Sequence, residues 1–264
     1  MKPVQTAEPY PGRKILRRMG MLKSQKGILN RYFRESSGWE DHLERTRKFM
    51  LRSAESKIKG TAAILGSGWL LDVSLESMAT QFQQLHLYDI YHPPQIRKKV
   101  EKFENIELFQ TDLTGGVIEA VYQTIKKHKK SGEKALINAL ANASFHFAHP
   151  PDFIASVNVM SQLNILITEY LKTKNIYSDR ELLELDKKIQ QNHLNLLQEG
   201  KSCLITDYEE ELFDRKNQFI GSNPLVHVHL PGGNTKRQWQ WQFDTRMRYR
   251  ENAQTWFNVA AIDL

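Results

Sequence analysis

Short apolar runs alternate with helical segments through the middle of the chain. The run 61–65 stops at the glycines Gly66 and Gly68, which is typical of a buried strand. Further strands are predicted over 86–90, 106–112, 153–157 and 202–207, and helices over 75–82, 96–103, 117–129 and 160–198, the last interrupted near Asn175. Five strands that alternate with helices predict a parallel α/β sheet with helices on both faces.

The N-terminal quarter has a different pattern. Residues 1–20 hold several prolines among arginines and predict an irregular arm that leads into a short basic helix. Beyond the break at 36–38, apolar positions recur at helical spacing and predict a helix over 38–58 with a buried stripe of Trp39, His42, Leu43, Thr46, Phe49, Met50 and Ala54. We therefore expect a basic helical extension over 1–60, followed by an α/β domain over 61–264.

The C-terminal part alternates between apolar and polar residues. Alternation over 225–230 and 238–243, on either side of the turn 231–234, predicts an antiparallel hairpin. Trp239, Trp241 and Phe243 fall on one face of the second strand, and a last strand is predicted over 256–262. The expected fold is a mostly parallel sheet with a helical N-terminal extension and an antiparallel C-terminal hairpin.

The overall composition is that of an ordinary globular protein. Of 264 residues, 40% are hydrophobic and 25% are charged, which argues against a disordered or collagen-like chain. The single cysteine, Cys203, excludes an intrachain disulfide and a cysteine-based zinc or iron–sulfur site, and we expect no metal. No apolar stretch approaches the roughly 18–20 residues that span a bilayer, and the first residues lack the apolar segment of a signal peptide. We expect a soluble, cytoplasmic protein without a membrane partner.

The positive charge is concentrated near the N-terminus. The formal net charge is +7, and residues 1–60 contain 15 Lys and Arg against 6 Asp and Glu. Such asymmetry permits RNA contact through 1–60, although a solvated helical face is the simpler explanation. The chain has no RNA-binding signature of the RRM or KH type.

Candidate chemistry lies at the ends of the first three predicted strands. The first strand ends in Gly66-Ser67-Gly68, the second in Asp89 and the third in Asp112. In doubly wound sheets, ligands bind outside the carboxyl ends of the strands. A carboxylate about 20 residues beyond a glycine loop is the arrangement expected for a nucleoside cofactor, since it accepts hydrogen bonds from both ribose hydroxyls. Asp112 can similarly meet an adenine amino group.

The loop itself distinguishes between cofactors. A dinucleotide requires a third glycine and a pyrophosphate at the helix N-terminus, but Leu71 or Asp72 stands at that position. Asp72 would repel a pyrophosphate, whereas it would not repel the cationic amino-acid part of S-adenosylmethionine. At this point the sequence resembles the class I S-adenosylmethionine-dependent methyltransferases, over about residues 61–210.

The resemblance implies a set of cofactor-binding residues and a Rossmann-like methyltransferase domain over 61–264. The methionine part would contact Gly66, Ser67 and Gly68, the ribose Asp89 with Ile90 beside it, and the adenine Asp112 with Leu113. The segment after the fourth strand, with Asn158, would border the methyl group. Two positions depart from the family pattern, because Ile64 replaces its usual acid and Leu70 its third glycine; Asp72 is a candidate substitute for the lost carboxylate. The tetrapeptide of amino-methyltransferases is absent, since Val159 follows Asn158.

These observations lead to one expected function and two alternatives. The expected function is methyl transfer from S-adenosylmethionine to a small molecule or RNA. The N-terminal helices are expected to cover the site or to contact the substrate, with Tyr32, Trp39 and His42 as candidate lining residues. The sequence identifies no catalytic base. One alternative is an NAD-dependent oxidoreductase on the same fold. The other is a non-catalytic protein that binds nucleic acid through its basic N-terminal arm.

Overall fold

The computed structural model describes residues 3–132, 135, 137–142 and 144–264. Its strands are β1 (Val4–Thr6), β2 (Thr61–Leu65), β3 (Gln84–Asp89), β4 (Ile106–Gln110), β5 (Phe153–Val157), β6 (Ser202–Phe213), β7 (Phe219–Pro224), β8 (Thr235–Asp244) and β9 (Gln254–Asp263). Its helices are α1 (Gly12–Arg18), α2 (Met21–Arg34), α3 (Ser36–Glu55), α4 (Leu75–Gln81), α5 (Pro94–Val100), α6 (Val117–Ser131), α7 (Ile137–Leu140), α8 (Gln162–Lys172) and α9 (Asp179–Leu194). Among the described residues, no helix has the length and apolar content needed to cross a membrane.

The strands of the described chain form one sheet in the order β1-β4-β3-β2-β5-β6-β9-β8, with β7 beside β6. The strands β1 to β6 are parallel, while β7, β8 and β9 pair in antiparallel fashion. This confirms the predicted mostly parallel α/β fold with antiparallel C-terminal strands. The order reverses between β2 and β5, and such a switch point is where open α/β sheets leave a crevice for a ligand.

Helices cover both faces of the sheet because alternate strand residues point in opposite directions. Ile64 and Leu87 pack in the core cluster that contains buried residues of α3, α4 and α5. Their neighbours Ala63 and Tyr88 belong to a cluster on the other face, against which α8 residue Leu163 packs. A strand that is buried on both faces needs an apolar run rather than alternation, as 61–65 has.

The N-terminal segment is integrated into the sheet. The strand β1 pairs with β4, and Pro9 O accepts a hydrogen bond of 2.7 Å from Asp112 N. The whole predicted stripe of α3 is buried, and Trp39 Nε1 donates to Phe243 O at 3.0 Å. The sequence did not predict β1, since three residues are too few to show a periodicity.

The C-terminal strands differ from the prediction in their partners. The strand β8 pairs with β9, whereas 225–230 forms no strand. Its amides are bound elsewhere: Leu225 N donates to Tyr208 O at 2.9 Å and His227 N to Gln190 Oε1 at 2.7 Å. The predicted first strand of the hairpin is therefore wrong, because the side chain of α9 residue Gln190 takes the place of a neighbouring strand.

Candidate functional site

A cavity of about 710 Å³ opens at the carboxyl ends of the central strands. Its volume lies within the range of about 300–1,000 Å³ that is usual for small-molecule sites. Residues of α2, α3 and α8 form part of its wall, together with the segments that follow β2, β3, β4 and β5. Of the predicted cofactor-binding and substrate residues, those that line it are Gly66, Gly68, Asp72, Asp89, Ile90, Asp112, Leu113, Asn158, Trp39 and His42. Ser67 and Tyr32 do not line it.

The loop after β2 holds a glycine-dependent conformation. Gly66 has φ +85° and Gly68 has φ +23°. A Cβ on Gly66 would lie 2.5 Å from Val159 Cβ and 2.7 Å from Val157 O. Leu70, at the position of the family's third glycine, keeps a positive φ of +55° although it carries a side chain. The loop therefore retains the backbone path of a glycine-rich turn despite the departure in sequence.

We expect Gly66→Ala to destabilise the protein by about 3 kcal/mol, because it adds a clash with the β5 segment to the cost of a positive φ. Gly200→Ala is the matched control, since Gly200 has φ +75° and open space around it, so that only about 1 kcal/mol is lost. Urea unfolding of the two variants measures the difference. Equal losses would contradict the close approach of the two loops.

Ser67 stabilises the loop through contacts outside the cavity. Its Oγ donates to Tyr88 O at 3.2 Å and lies 3.0 Å from Nε2 of the buried His92. Burial lowers the pKa of His92 to about 3, so the ring is neutral. Ser67 and His92 thus tie the loop to the end of β3, and nothing in the sequence pattern pointed to His92.

Asp89 lines the cavity at the end of β3. Its Oδ2 accepts a hydrogen bond of 2.9 Å from Gly68 N, and its Oδ1 accepts from Tyr91 N at 3.2 Å and from Gln25 Nε2 at 3.3 Å. Burial raises the pKa of Asp89 to about 6, against the opposing effect of these backbone amides. The carboxylate is ionised at neutral pH and faces the cavity beside Ile90.

Asp112 combines a structural role with its place in the cavity. Its Oδ1 accepts hydrogen bonds from Thr114 N at 2.9 Å and Thr114 Oγ1 at 2.6 Å, and its Oδ2 accepts from Ile118 N at 3.3 Å. The carboxylate therefore caps the start of α6, and burial raises its pKa to about 6. Leu113 lies beside it on the cavity wall.

A polar network links Asn158 to two elements that are distant in sequence. Asn158 follows β5 with φ +48°, and its Nδ2 lies 2.8 Å from Asp72 Oδ2 and 3.2 Å from His42 Nε2. Trp239 Nε1 donates to His42 Nδ1 at 3.1 Å. Burial lowers the pKa of His42 to about 3 and raises the pKa of Asp72. Asp72 lines the same cavity as Asn158 and His42.

The three candidate substrate residues do not share one surface. Trp39 and His42 line the cavity, and the His42 ring stacks on Trp241 at a centroid distance of 3.9 Å. Tyr32 lies behind Trp39, with ring centroids 6.0 Å apart, and is half-buried outside the cavity. The helical spacing in the sequence could not reveal whether Tyr32 faces the cavity or packs against Trp39 outside it.

Asp207 is a cavity residue that the sequence reasoning missed. It lies in β6 with 4% of its surface exposed, and Ser161 Oγ donates to its Oδ1 at 2.7 Å. Burial raises the pKa of Asp207 to about 6. The signal was available, because Asp207 ends a predicted strand in the same way as Asp89 and Asp112.

Residues of the helix α2 line the cavity, and no pattern in the sequence pointed to Gln25 or Arg31 among them. The side-chain amide of Gln25 donates to Asp89, and the backbone carbonyl oxygen of Gln25 accepts a hydrogen bond of 2.7 Å from Trp69 Nε1. Arg31 lines the cavity farther along α2. Only the packing of α2 over the sheet brings these residues to the strand ends.

Comparisons with known proteins add little to this geometry. No protein-family model matches the sequence, and a comparison with curated proteins gives no match. A solved structure described as the "DhpI-SAM-HEP complex" aligns with 95% of this chain and 98% of its own, at 7% identity and a TM-score of 0.41. A crystal structure of the 23S rRNA methyltransferase ErmE aligns with 83% of this chain and 67% of its own, at 11% identity and a TM-score of 0.32. At TM-scores this low, the functional assignment depends on the residues of the cavity.

Proposed function

We propose that the protein is an S-adenosylmethionine-dependent methyltransferase. The observation that carries this proposal is the joint presence of a glycine loop and two buried carboxylates, Asp89 and Asp112, in one cavity at the ends of three adjacent strands. Asp89 would accept hydrogen bonds from the ribose hydroxyls, and Asp112 one from the adenine amino group. Gly66 and Gly68 allow the backbone to come close to the cofactor.

The donor set of the cavity fits this cofactor better than a dinucleotide. A pyrophosphate needs the open N-terminus of the helix that follows the glycine loop. Here that helix is α4, which begins at Leu75, and Leu75 is fully buried and not part of the cavity wall. Asp72 lies in the loop between Gly68 and α4 and faces the cavity. Its carboxylate would repel a pyrophosphate and attract an ammonium or sulfonium group. We therefore favour S-adenosylmethionine over NAD.

The protein's own chemical task would be small. When bound, the cofactor supplies a methyl group on a sulfonium sulfur, which is already activated for transfer. The chain's residues orient the acceptor and remove its proton. Asp207 is the carboxylate suited to removing the proton, because it lines the cavity from β6. The strands β2 and β5 separate β6 from β3 and β4, whose ends carry the proposed cofactor ligands Asp89 and Asp112.

The acceptor is a small molecule or RNA. Every charged residue of α1 and α2 is basic, and six of them are exposed: Arg13, Lys14, Arg17, Arg18, Lys23 and Lys26. Since α1 and α2 border the cavity, this surface supports contact with a polyanion. RNA binding of this kind would weaken steeply with added salt.

The first test is calorimetric titration with S-adenosylhomocysteine and, in parallel, with NAD. We expect saturable binding of S-adenosylhomocysteine and none of NAD. Binding of NAD alone would favour the oxidoreductase alternative. If neither ligand binds while RNA binds in a salt-dependent manner, the protein is a nucleic-acid-binding protein without this cofactor.

We expect cofactor affinity to fall as the pH drops below about 6. Asp89 and Asp112 each have a pKa of about 6 in the folded protein, and protonation removes the charge that strengthens their hydrogen bonds. The dissociation constant of S-adenosylhomocysteine should therefore rise by about tenfold or more between pH 7.5 and pH 5. A flat profile over this range would contradict the carboxylate assignments, and Asp89→Asn should flatten it in part.

A further inference from the structure

One end of the cavity is lined by aromatic rings and a single guanidinium group. Trp241 and Phe243 of β8 and Phe257 of β9 form this end, which the strand order separates from Asp89 and Asp112. The guanidinium carbon of Arg31 lies 4.4 Å from the ring centre of Phe243 and 4.9 Å from that of Tyr249. Cation–π contact with both rings holds the charged group in place.

Arg31 has no acidic partner of its own in the described chain. The nearby Asp244 is paired with Arg34 at 3.3 Å and accepts two backbone amides. Glu35 is likewise paired with Arg34 and accepts hydrogen bonds from Thr245 N at 3.0 Å and Thr245 Oγ1 at 2.7 Å. No carboxylate of the described residues lies within ion-pair distance of Arg31, and its Nε is buried without a hydrogen-bond partner.

Burying part of a guanidinium group without acceptors for its donors costs free energy, unless a ligand supplies those acceptors. Unpaired buried donors lose their hydration, and the aromatic rings return only part of that loss. Burial lowers the pKa of Arg31, which reflects the same desolvation. An oxyanion is the group whose geometry matches the guanidinium fork, since it accepts two parallel hydrogen bonds.

We propose that Arg31 binds an anionic group, a phosphate or a carboxylate, of the methyl acceptor. This inference rests on the proposed function and names the class of acceptor. An acceptor held by its anion at Arg31 would share the cavity with Asn158 and Asp207, which line it as well. Arg18 and Lys23 also line the cavity and would attract such a substrate.

The test is titration of the S-adenosylhomocysteine-saturated protein with inorganic phosphate at constant ionic strength, followed by calorimetry and thermal unfolding. We expect saturable binding at millimolar concentration and a rise in melting temperature. Arg31→Met keeps an unbranched stem against the rings and should weaken phosphate binding by about tenfold or more. Arg31→Lys keeps the charge but loses the two parallel donors, so its affinity for phosphate should lie between those of the wild type and Arg31→Met. Arg237→Met, at an exposed position of β8 outside the cavity, should bind phosphate as the wild type does.

The outcomes separate this inference from the proposed function. If S-adenosylhomocysteine binds but phosphate binding is absent, or is the same in the wild type and in Arg31→Met, the anion site is wrong and the cofactor assignment stands. If S-adenosylhomocysteine itself does not bind, the proposed function fails first. A short RNA oligonucleotide identifies the source of the anion: loss of RNA binding in Arg31→Met indicates a nucleic-acid phosphate, and loss of phosphate binding alone indicates a small acceptor.

Discussion

Asp89→Ala should weaken the binding of S-adenosylhomocysteine by at least about 100-fold. Two hydrogen bonds from ribose hydroxyls to a charged acceptor contribute about 1.5–3 kcal/mol each, and the substitution removes both. Calorimetric titration at pH 7.5 measures the change. The effect is large because Asp89 is 5% exposed, so no water readily takes the place of its carboxylate.

Two further variants show whether that loss is specific. Asp89→Ala also leaves the amides of Gly68 and Tyr91 without their acceptor, whereas Asp89→Asn keeps an oxygen and removes only the charge. We expect an intermediate affinity for Asp89→Asn. Asp41→Ala, in an exposed ion pair with Arg45 on α3, should bind as the wild type does. Unchanged affinity in Asp89→Ala would refute the site assignment.

Asp207→Asn should stabilise the folded protein at pH 8 by up to about 3 kcal/mol. Burial raises the pKa of Asp207 from an ordinary value of 3.8 to about 6, so the folded state opposes ionisation. Above pH 6 the carboxylate is ionised in both states, and the folded state carries the cost of burying the charge. At pH 4 the carboxyl is neutral in the folded state and about half ionised in the unfolded state, so most of the gain from the amide disappears.

Urea unfolding at pH 8 and pH 4 measures this difference. Asp41→Asn is the control, because its carboxylate is 63% exposed and its replacement should change stability little at either pH. A loss of stability in Asp207→Asn at pH 8 would contradict the assignment. A stabilising substitution at this position is what a carboxylate retained for function would show.

The residues of the glycine loop and the strand-end acids were within reach of the sequence. Asp89 and Asp112 each follow an apolar run, and the carboxyl ends of parallel strands meet at one edge of a sheet. Asp207 also stands at the carboxyl end of a predicted parallel strand. It was not considered because the expected cofactor contacts involve only the first four predicted strands. Arg31 and Gln25 were out of reach, because their roles depend on how α2 packs across the sheet.

The sequence by itself determined the parallel α/β sheet and the helix α3, because periodicity and burial are local properties that each segment carries alone. It also determined which carboxylates stand at strand ends. The tertiary structure alone decided that β1 joins the sheet edge, that β8 pairs with β9 instead of 225–230, and which residues of α2 line the cavity. Those features depend on contacts between segments far apart in the chain, such as Gln190 with His227 N and Arg31 with Phe243, and no local pattern records such contacts.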